Sequence, residues 1–155
     1  LALLVGLAGG ALAAPGLPAE LAAFDSTPAG IVSLAAPTDL DGFAAYTPGG
    51  AEMILGFLGC TDMATCDPTL VAEASPQTWA DPTDPPVYLA QGDPDHVVPV
   101  APTDAVATSL EEAVGLGKIW YDRVDSGEDS GRGHDIDHGL NRTVLGVFIG
   151  TVDPR

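Results

Sequence analysis

A chain of 155 residues has the size of one domain, and a hydrophobic content of 46% predicts a folded core rather than a disordered chain. The 22 acidic residues against 5 basic ones give a net charge of -17, which disfavours nucleic acid and anionic membrane surfaces as partners, since both need Lys and Arg. No run of about 20 apolar residues occurs, so no membrane-spanning helix is predicted.

Short apolar runs alternate with helix-like stretches along the chain. The first half is predicted to contain a strand (LALLV), a helix (ALAAPGLPAELAAF), a strand (AGIVSLAA), a turn (PTDLDGF) and a helix (GGAEMILGFLG). Residues 59–84, rich in Thr, Asp and Pro, are predicted as a long excursion. The second half is predicted to contain a strand (PPVYLA), a helix opened by a Thr cap (TDAVATSLEEAVGLG), a strand (KIWYDRV) and a helix (GLNRTVLGVFIG).

Continuous apolar strands separated by helices are typical of a parallel sheet that helices cover on both faces. We therefore expect an α/β fold with a mostly parallel sheet flanked by helices, in a single domain over residues 1–155. In such a sheet the working residues lie in loops after the carboxyl ends of strands. Here the first of these loops is a glycine turn, the second holds Asp93, Asp95 and His96, and the third holds His134 and His138. A glycine turn, then Asp, then His is the order of a nucleophile, acid and base triad.

The two cysteines, Cys60 and Cys66, are separated by five residues in GCTDMATCDP. Two cysteines alone disfavour structural zinc, which takes four ligands. A disulfide is favoured over free thiols, which are the alternative. By closing so short a loop it would stabilise the fold by about 2 kcal/mol. A disulfide implies an oxidising compartment, so we expect a secreted or otherwise extracytoplasmic protein.

Several segments resemble one family. The segment GDPDHVVP, residues 92–99, is similar to the HGxxDxxVP motif of α/β-hydrolase esterases, and GRGHDI is similar to their histidine loop. LAGGALA is similar to their SAGGHLA, and IVSLAAPTDL to a strand with its following turn. The chain thus resembles the C-terminal part of the α/β-hydrolase superfamily, in its carboxylesterase and lipase-like (acetyl-esterase-like) group. Peptidases of this fold share some of these motifs.

The resemblance implies a serine-hydrolase-type carboxylic ester hydrolase that acts on a small ester without a cofactor or a resident metal. It places the catalytic acid at Asp95 and the base at His134. Aligned with the family's G-x-S-x-G elbow, VGLAG puts Leu7 at the nucleophile position and the backbone N–H of Ala8 in the oxyanion hole. A leucine cannot attack a carbonyl, so the hydrolytic activity is expected to be impaired or absent.

The family's early strands and oxyanion-hole loop have no counterpart ahead of Leu1. We therefore expect an N-terminally truncated domain, with an N-terminal half or another chain completing the sheet. A different interpretation takes LALLVGLAGG as the apolar region of a signal peptide, with ALA before Ala14 as its cleavage site.

Other functions remain open. The scaffold could serve as a non-catalytic binding or assembly module. The spacing of His134 and His138 in HDIDH is that of a zinc-dependent hydrolase, although Asp135 in place of Glu reaches poorly to a metal-bound water. Neither Ser33 nor Ser75 stands at a predicted strand-to-helix turn, so neither is a good replacement nucleophile.

Overall fold

The centre of the fold is a parallel sheet of three strands within the part of the chain that the computed structural model describes, residues 1–12, 27–93, 95–124 and 142–152. The strands are β1 (Ile31–Leu34), β2 (Val87–Gly92) and β3 (Ile119–Val124). Their order is β1-β2-β3, so β2 is central and pairs with β1 on one side and β3 on the other. Three of the four predicted strands are thus confirmed.

Helices surround this sheet. Across the described ranges the α-helices are α1 (Ala2–Ala8), α2 (Leu40–Tyr46), α3 (Gly50–Leu58), α4 (Pro68–Ala74), α5 (Val100–Val114) and α6 (Arg142–Val152). Short 3-10 helices cover Gly9–Leu12 and Pro76–Trp79. None of the helices described is long and apolar enough to cross a membrane. The α/β class and the helices that flank a parallel sheet agree with the expectation from sequence.

Strand β2 is buried on both faces, which explains its continuous apolar sequence. On one face, helices α1 and α5 pack over the sheet and form a first core. This core consists of Leu3, Leu7, Ile31, Val87, Leu89, Val106, Ala107 and Leu110. On the other face, Tyr88 and Ala90 pack with Phe148 of α6. Burying each of these larger side chains stabilises the fold by roughly 1.5–3 kcal/mol.

Helices α2, α3 and α4 form a third core beside the sheet. Its buried residues are Leu40, Phe43, Ile54, Cys66, Val71 and Val98. The predicted disulfide between Cys60 and Cys66 is confirmed, with 5.5 Å between the Cα atoms, and it closes the loop between α3 and α4. Because Val98 follows β2, this core joins the three helices to the loop after the central strand.

The strand predicted over LALLV is wrong, because residues 2–8 form helix α1. Leu3, Leu4 and Leu7 recur at helical spacing and are buried on one side of the helix. Gly6 lets α1 lie close to the sheet, since a Cβ there would come within 2.6 Å of Ile31 Cγ1. Leu7 and Ala8 therefore lie inside a helix and not at a strand-to-helix turn.

Other boundaries also differ from prediction. PTDLDGF is not only a turn, because α2 begins at Leu40 within it. The excursion over residues 59–84 contains α4, which Asp67 caps by accepting a hydrogen bond from the Thr69 N–H at 2.9 Å. Helix α5 begins at Val100, so Thr103 is inside it rather than its cap. The helix predicted over residues 11–24 lies largely outside the described residues.

Candidate functional site

The loop between β2 and α5 lies at the edge of the sheet where the parallel strands end. We call residues 93 and 95–99 the Asp95 loop. Asp95 follows the end of β2 by three residues and is only 3% exposed. A buried carboxylate must be compensated by hydrogen bonds or opposite charge, so its contacts indicate what holds it there.

Three described hydrogen bonds fix the Asp95 carboxylate. Oδ1 accepts from the backbone N–H groups of Val97, at 2.7 Å, and Val98, at 2.9 Å. Oδ2 accepts from the Nε2 amide of Gln91 at 2.7 Å. Because the donors engage both oxygens, the rotation of the carboxylate as well as its position is constrained. Hydrogen bonds of this charge-assisted type are about twice as strong as neutral ones.

Gln91 is itself held in the core. It is fully buried in β2, and its Nε2 also donates to the Val98 carbonyl at 3.3 Å. Its Oε1 accepts from the Thr103 hydroxyl of α5 at 3.3 Å. The side chains of Thr103, Gln91 and Asp95 thus form a continuous buried chain of hydrogen bonds.

The outer side of the Asp95 loop is bound to helix α2. The Tyr46 hydroxyl donates to the Asp95 main-chain oxygen at 3.2 Å, and the Thr47 hydroxyl donates to the Val97 carbonyl. The end of α2 therefore supports the backbone of the loop, while Gln91 supports the carboxylate.

A second set of contacts ties the start of the loop to β3. The Asp93 N–H donates to the Val124 carbonyl at 2.9 Å, and the Asp93 carboxylate pairs with Arg123. Arg123 also donates from Nη1 to both carboxylate oxygens of Asp104, at 2.8 and 2.9 Å. These charged side chains are about half exposed, so each pair adds at most about 1 kcal/mol.

Two tyrosines near these strands are excluded as general bases. Burial and a 2.6 Å hydrogen bond to Asp122 raise the pKa of Tyr88 well above its ordinary value. Burial and the hydroxyl's 2.7 Å hydrogen bond to Asp104 do the same to the pKa of Tyr121. Both hydroxyls therefore stay protonated at neutral pH and act as hydrogen-bond donors.

The other predicted site residues have different placements. Leu7 is buried in the first core, and Ala8 is in the last turn of the same helix. His134 and His138 lie outside the described residues, so the base and the zinc hypothesis both stay predictions. Within the described ranges, no group of three His, Cys, Asp or Glu side chains is arranged to hold a metal ion.

Ser33 and Ser75 both lie within the framework of the fold. Ser33 is buried within β1. Ser75 donates to the Val71 carbonyl at 2.8 Å and accepts from the Leu40 N–H at 3.0 Å, which joins α4 to α2. Neither lies at a strand-to-helix turn, in agreement with the expectation from sequence.

The segment after β1 is constrained in a similar way to the Asp95 loop. Ala35 has a φ of 44°, in the left-handed region that costs a non-glycine residue roughly 1–2 kcal/mol, and its N–H donates to Ala90 at 2.8 Å. The Thr38 carbonyl accepts from the Gln77 N–H at 3.1 Å. Beside this segment lies a cleft of about 270 Å³ whose lining includes Asp39, Asp41, Met63, Gln77 and Thr78.

Sequence reasoning missed Gln91, Thr103, Tyr46 and Thr47. A signal was available for Gln91, because a polar residue at the end of the apolar run VYLA in a central strand has to be buried with hydrogen-bond partners. No comparable signal identifies Tyr46 or Thr47, whose contacts span about fifty residues of sequence.

No protein-family model matches this chain, and no curated protein matches it either. Two solved structures share its fold with a TM-score of 0.66 at 18% identity. One is a bifunctional GH43-CE protein from Bacteroides eggerthii, where the match covers 96% of this chain and 21% of that one. The other is a truncated carbohydrate esterase from gut microbiota, where it covers 97% and 55%. The chain therefore spans 21% of the length of the first protein and 55% of the length of the second.

Proposed function

We propose that this chain is part of a serine-hydrolase-type carboxylic ester hydrolase in which Asp95 orients the imidazole of His134. The observation that carries the proposal is the Asp95 carboxylate, buried and fixed at both oxygens at the carboxyl end of the central strand. The name of one structural neighbour, a carbohydrate esterase, supports the same class and suggests acyl esters of carbohydrates as substrates.

In this proposal, Asp95 accepts a hydrogen bond from one imidazole nitrogen of His134 and stabilises the imidazolium. A serine Oγ attacks the ester carbonyl carbon while the imidazole takes the hydroxyl proton. The imidazolium then gives that proton to the departing alcohol, which leaves an acyl-serine. Water, activated by the same imidazole, hydrolyses the acyl-serine and releases the acid. No cofactor enters these steps.

The nucleophile must come from a position other than Leu7, because Leu7 is a buried helix residue. Strand β1 pairs with β2 alone among the described strands, and its side chains Val32 and Leu34 are 41% and 46% exposed. We propose that a further segment, an N-terminal half or another chain, pairs with this edge and supplies the serine. The disulfide agrees with the extracytoplasmic location expected for such an enzyme.

A second candidate function is a non-catalytic binding or assembly module on the same scaffold. It is favoured by the structural positions of Ser33, Ser75 and Leu7, none of which presents a nucleophile to the Asp95 loop. The two functions differ in hydrolysis and in labelling by a serine-directed fluorophosphonate, which only the ester hydrolase would show.

The first test asks whether Asp95 and His134 are coupled, and it needs no turnover. An adjacent carboxylate favours the protonated imidazole, so Asp95→Asn should lower the midpoint of the His134 titration, followed by ¹⁵N NMR, by about one pH unit. Asp93→Asn is the matched control, because it removes the same charge from the same loop. Equal midpoints in the wild type and Asp95→Asn would contradict the proposed pair.

The second test asks whether the pair serves hydrolysis. In protein that also contains the segment supplying the serine, we expect turnover of p-nitrophenyl acetate to be lost in His134→Ala and kept in His138→Ala, with fluorophosphonate labelling of the active protein. A coupled pair without turnover or labelling would favour the non-catalytic module. Turnover that depends on added zinc and on His138 would favour the metal-dependent hydrolase instead.

A further inference from the structure

We infer that Gln91 is a positioning residue whose side-chain amide sets the rotation of the Asp95 carboxylate, and that Thr103 sets the orientation of that amide. This inference rests on the proposed role of Asp95 as the acid of an ester hydrolase. It assigns two further residues, Gln91 and Thr103, to the site.

The first step concerns the burial of Gln91. A glutamine side chain is usually exposed, and burying its amide is unfavourable unless it is hydrogen-bonded. Gln91 is 0% exposed, yet its oxygen and its nitrogen both have partners: Thr103 on one side, Asp95 and Val98 on the other. An apolar residue would fill this place in a central strand without needing any of those partners.

The second step concerns the direction of the amide. The Asp95 carboxylate and the Val98 carbonyl can only accept hydrogen bonds, so both require the Nε2 end of Gln91. A flipped amide would place Oε1 against two acceptor oxygens, 2.7 and 3.3 Å from the present Nε2. The Thr103 hydroxyl then donates to Oε1 and stabilises the orientation that serves Asp95.

The third step concerns the carboxylate. The Val97 and Val98 N–H groups hold Oδ1, and they belong to the turn in which Asp95 lies. Gln91 holds Oδ2 from a different element, the rigid central strand. With both oxygens held, the carboxylate plane cannot rotate about the Cβ–Cγ bond. That plane decides the direction in which an imidazole N–H can be accepted, so Gln91 acts on catalysis through Asp95.

The experiment compares Gln91→Met, which keeps the length of the side chain but removes its donor, with Thr103→Val and Thr103→Ser in the full 155-residue chain. In NMR spectra, Gln91→Met should shift the amide protons of Val97 and Val98, which report on Oδ1, while the signals of β3 stay in place. Thr103→Val should shift them less, and Thr103→Ser, which keeps the hydroxyl, should restore the wild-type signals.

Two further measurements distinguish a positioning role of Gln91 from a purely structural one. In protein that hydrolyses p-nitrophenyl acetate, Gln91→Met should lower kcat about 10- to 100-fold with KM within about twofold, because misorientation affects the transition state more than binding. In the Asp95→Asn background, Gln91→Met should have no further effect on the His134 titration.

Several results would overturn the inference. One is an unchanged set of Val97 and Val98 signals in Gln91→Met. Another is a loss of thermal stability with kcat kept. If Gln91→Met does not fold, the comparison of Thr103→Val with Thr103→Ser tests the inference on the same Val97 and Val98 amide signals. Absence of turnover in protein that also contains the serine-supplying segment would contradict the proposed hydrolase alone, and the amide signals would still test the positioning of Asp95.

Discussion

The Tyr46 hydroxyl donates a hydrogen bond to the main-chain oxygen of Asp95 at 3.2 Å and so joins the last residue of α2 to the loop after the central strand. The next residue, Thr47, makes the neighbouring contact to the Val97 carbonyl. Helix α2 begins just after β1 and ends at this loop, so it connects the carboxyl ends of two adjacent strands. The cluster of helices beside the sheet is therefore part of the frame of the candidate site.

Removing the hydroxyl in Tyr46→Phe should loosen this connection. We expect the free energy of unfolding in urea to fall by about 1 kcal/mol, because one hydrogen bond is lost at a partly exposed site. Amide hydrogen exchange at residues 95–98 should become faster than in the wild type. Tyr121→Phe, which loses its contact to Asp104 instead, is the control and should leave exchange at these residues unchanged. Equal exchange rates in all three proteins would contradict the role given to Tyr46.

The disulfide between Cys60 and Cys66 closes a short loop beside the third core. Reducing it, or replacing both cysteines by alanine, should lower the free energy of unfolding by about 2 kcal/mol on the chain-entropy description. Urea unfolding with and without dithiothreitol measures this difference. The double alanine variant is its own control, because the reductant should have no effect on it. A wild type that is insensitive to dithiothreitol after full reduction would contradict this prediction.

Gly6 and Gly56 are both helical glycines, but their surroundings predict opposite results. A Cβ at Gly6 would meet the Ile31 side chain, so Gly6→Ala should destabilise the fold by about 1–3 kcal/mol through overpacking. Gly56 in α3 is exposed with open space around it, so Gly56→Ala should stabilise by about 1 kcal/mol. Thermal unfolding of the two variants checks the signs. A gain in stability for Gly6→Ala would contradict the close packing of α1 on β1.

Gly6 also shows why part of the fold could not be predicted from the sequence. LALLV is five residues of apolar side chains, too short for its periodicity to separate a strand from a buried helix. The following glycines were interpreted as a catalytic turn, whereas Gly6 is required by the approach of α1 to Ile31. Longer segments with clear boundaries, such as the runs that became β2 and α5, were assigned to the correct type.

The site was predictable to a similar degree. The GDPDHVVP segment correctly placed Asp95 after the central strand, because turn residues follow directly on a continuous apolar run. Its supporting contacts come from other elements: Tyr46 from α2 and Thr103 from α5. Thr103 resembles a helix cap in the sequence and is instead a buried hydrogen-bond donor. Such contacts depend on tertiary packing, which local patterns do not contain.

Asp84 and Asp81 lie in one tight turn before β2 and should respond to pH in opposite ways. Burial raises the pKa of Asp84, although its Oδ2 accepts the Asp81 N–H at 2.7 Å. Hydrogen bonds from Thr83, the larger from its side chain, lower the pKa of Asp81. The folded state therefore binds the Asp84 proton more tightly, and the Asp81 proton less tightly, than the unfolded state does.

The linkage between proton binding and folding fixes the signs for the two variants. The stability that protonated Asp84 contributes is fully present below its unfolded pKa of 3.8 and is lost as the pH rises through its higher folded pKa. Asp84→Asn should thus unfold at higher urea than the wild type at pH 7 and at the same urea near pH 3. Asp81 contributes stability above 3.8 that is lost as the pH falls, so Asp81→Asn should be less stable at pH 7. Both variants remove one negative charge from a chain of net charge -17, so relief of general repulsion affects them equally. Urea midpoints at both pH values give the comparison, and a shift of the same sign in the two variants at pH 7 would show that general repulsion outweighs the local contacts.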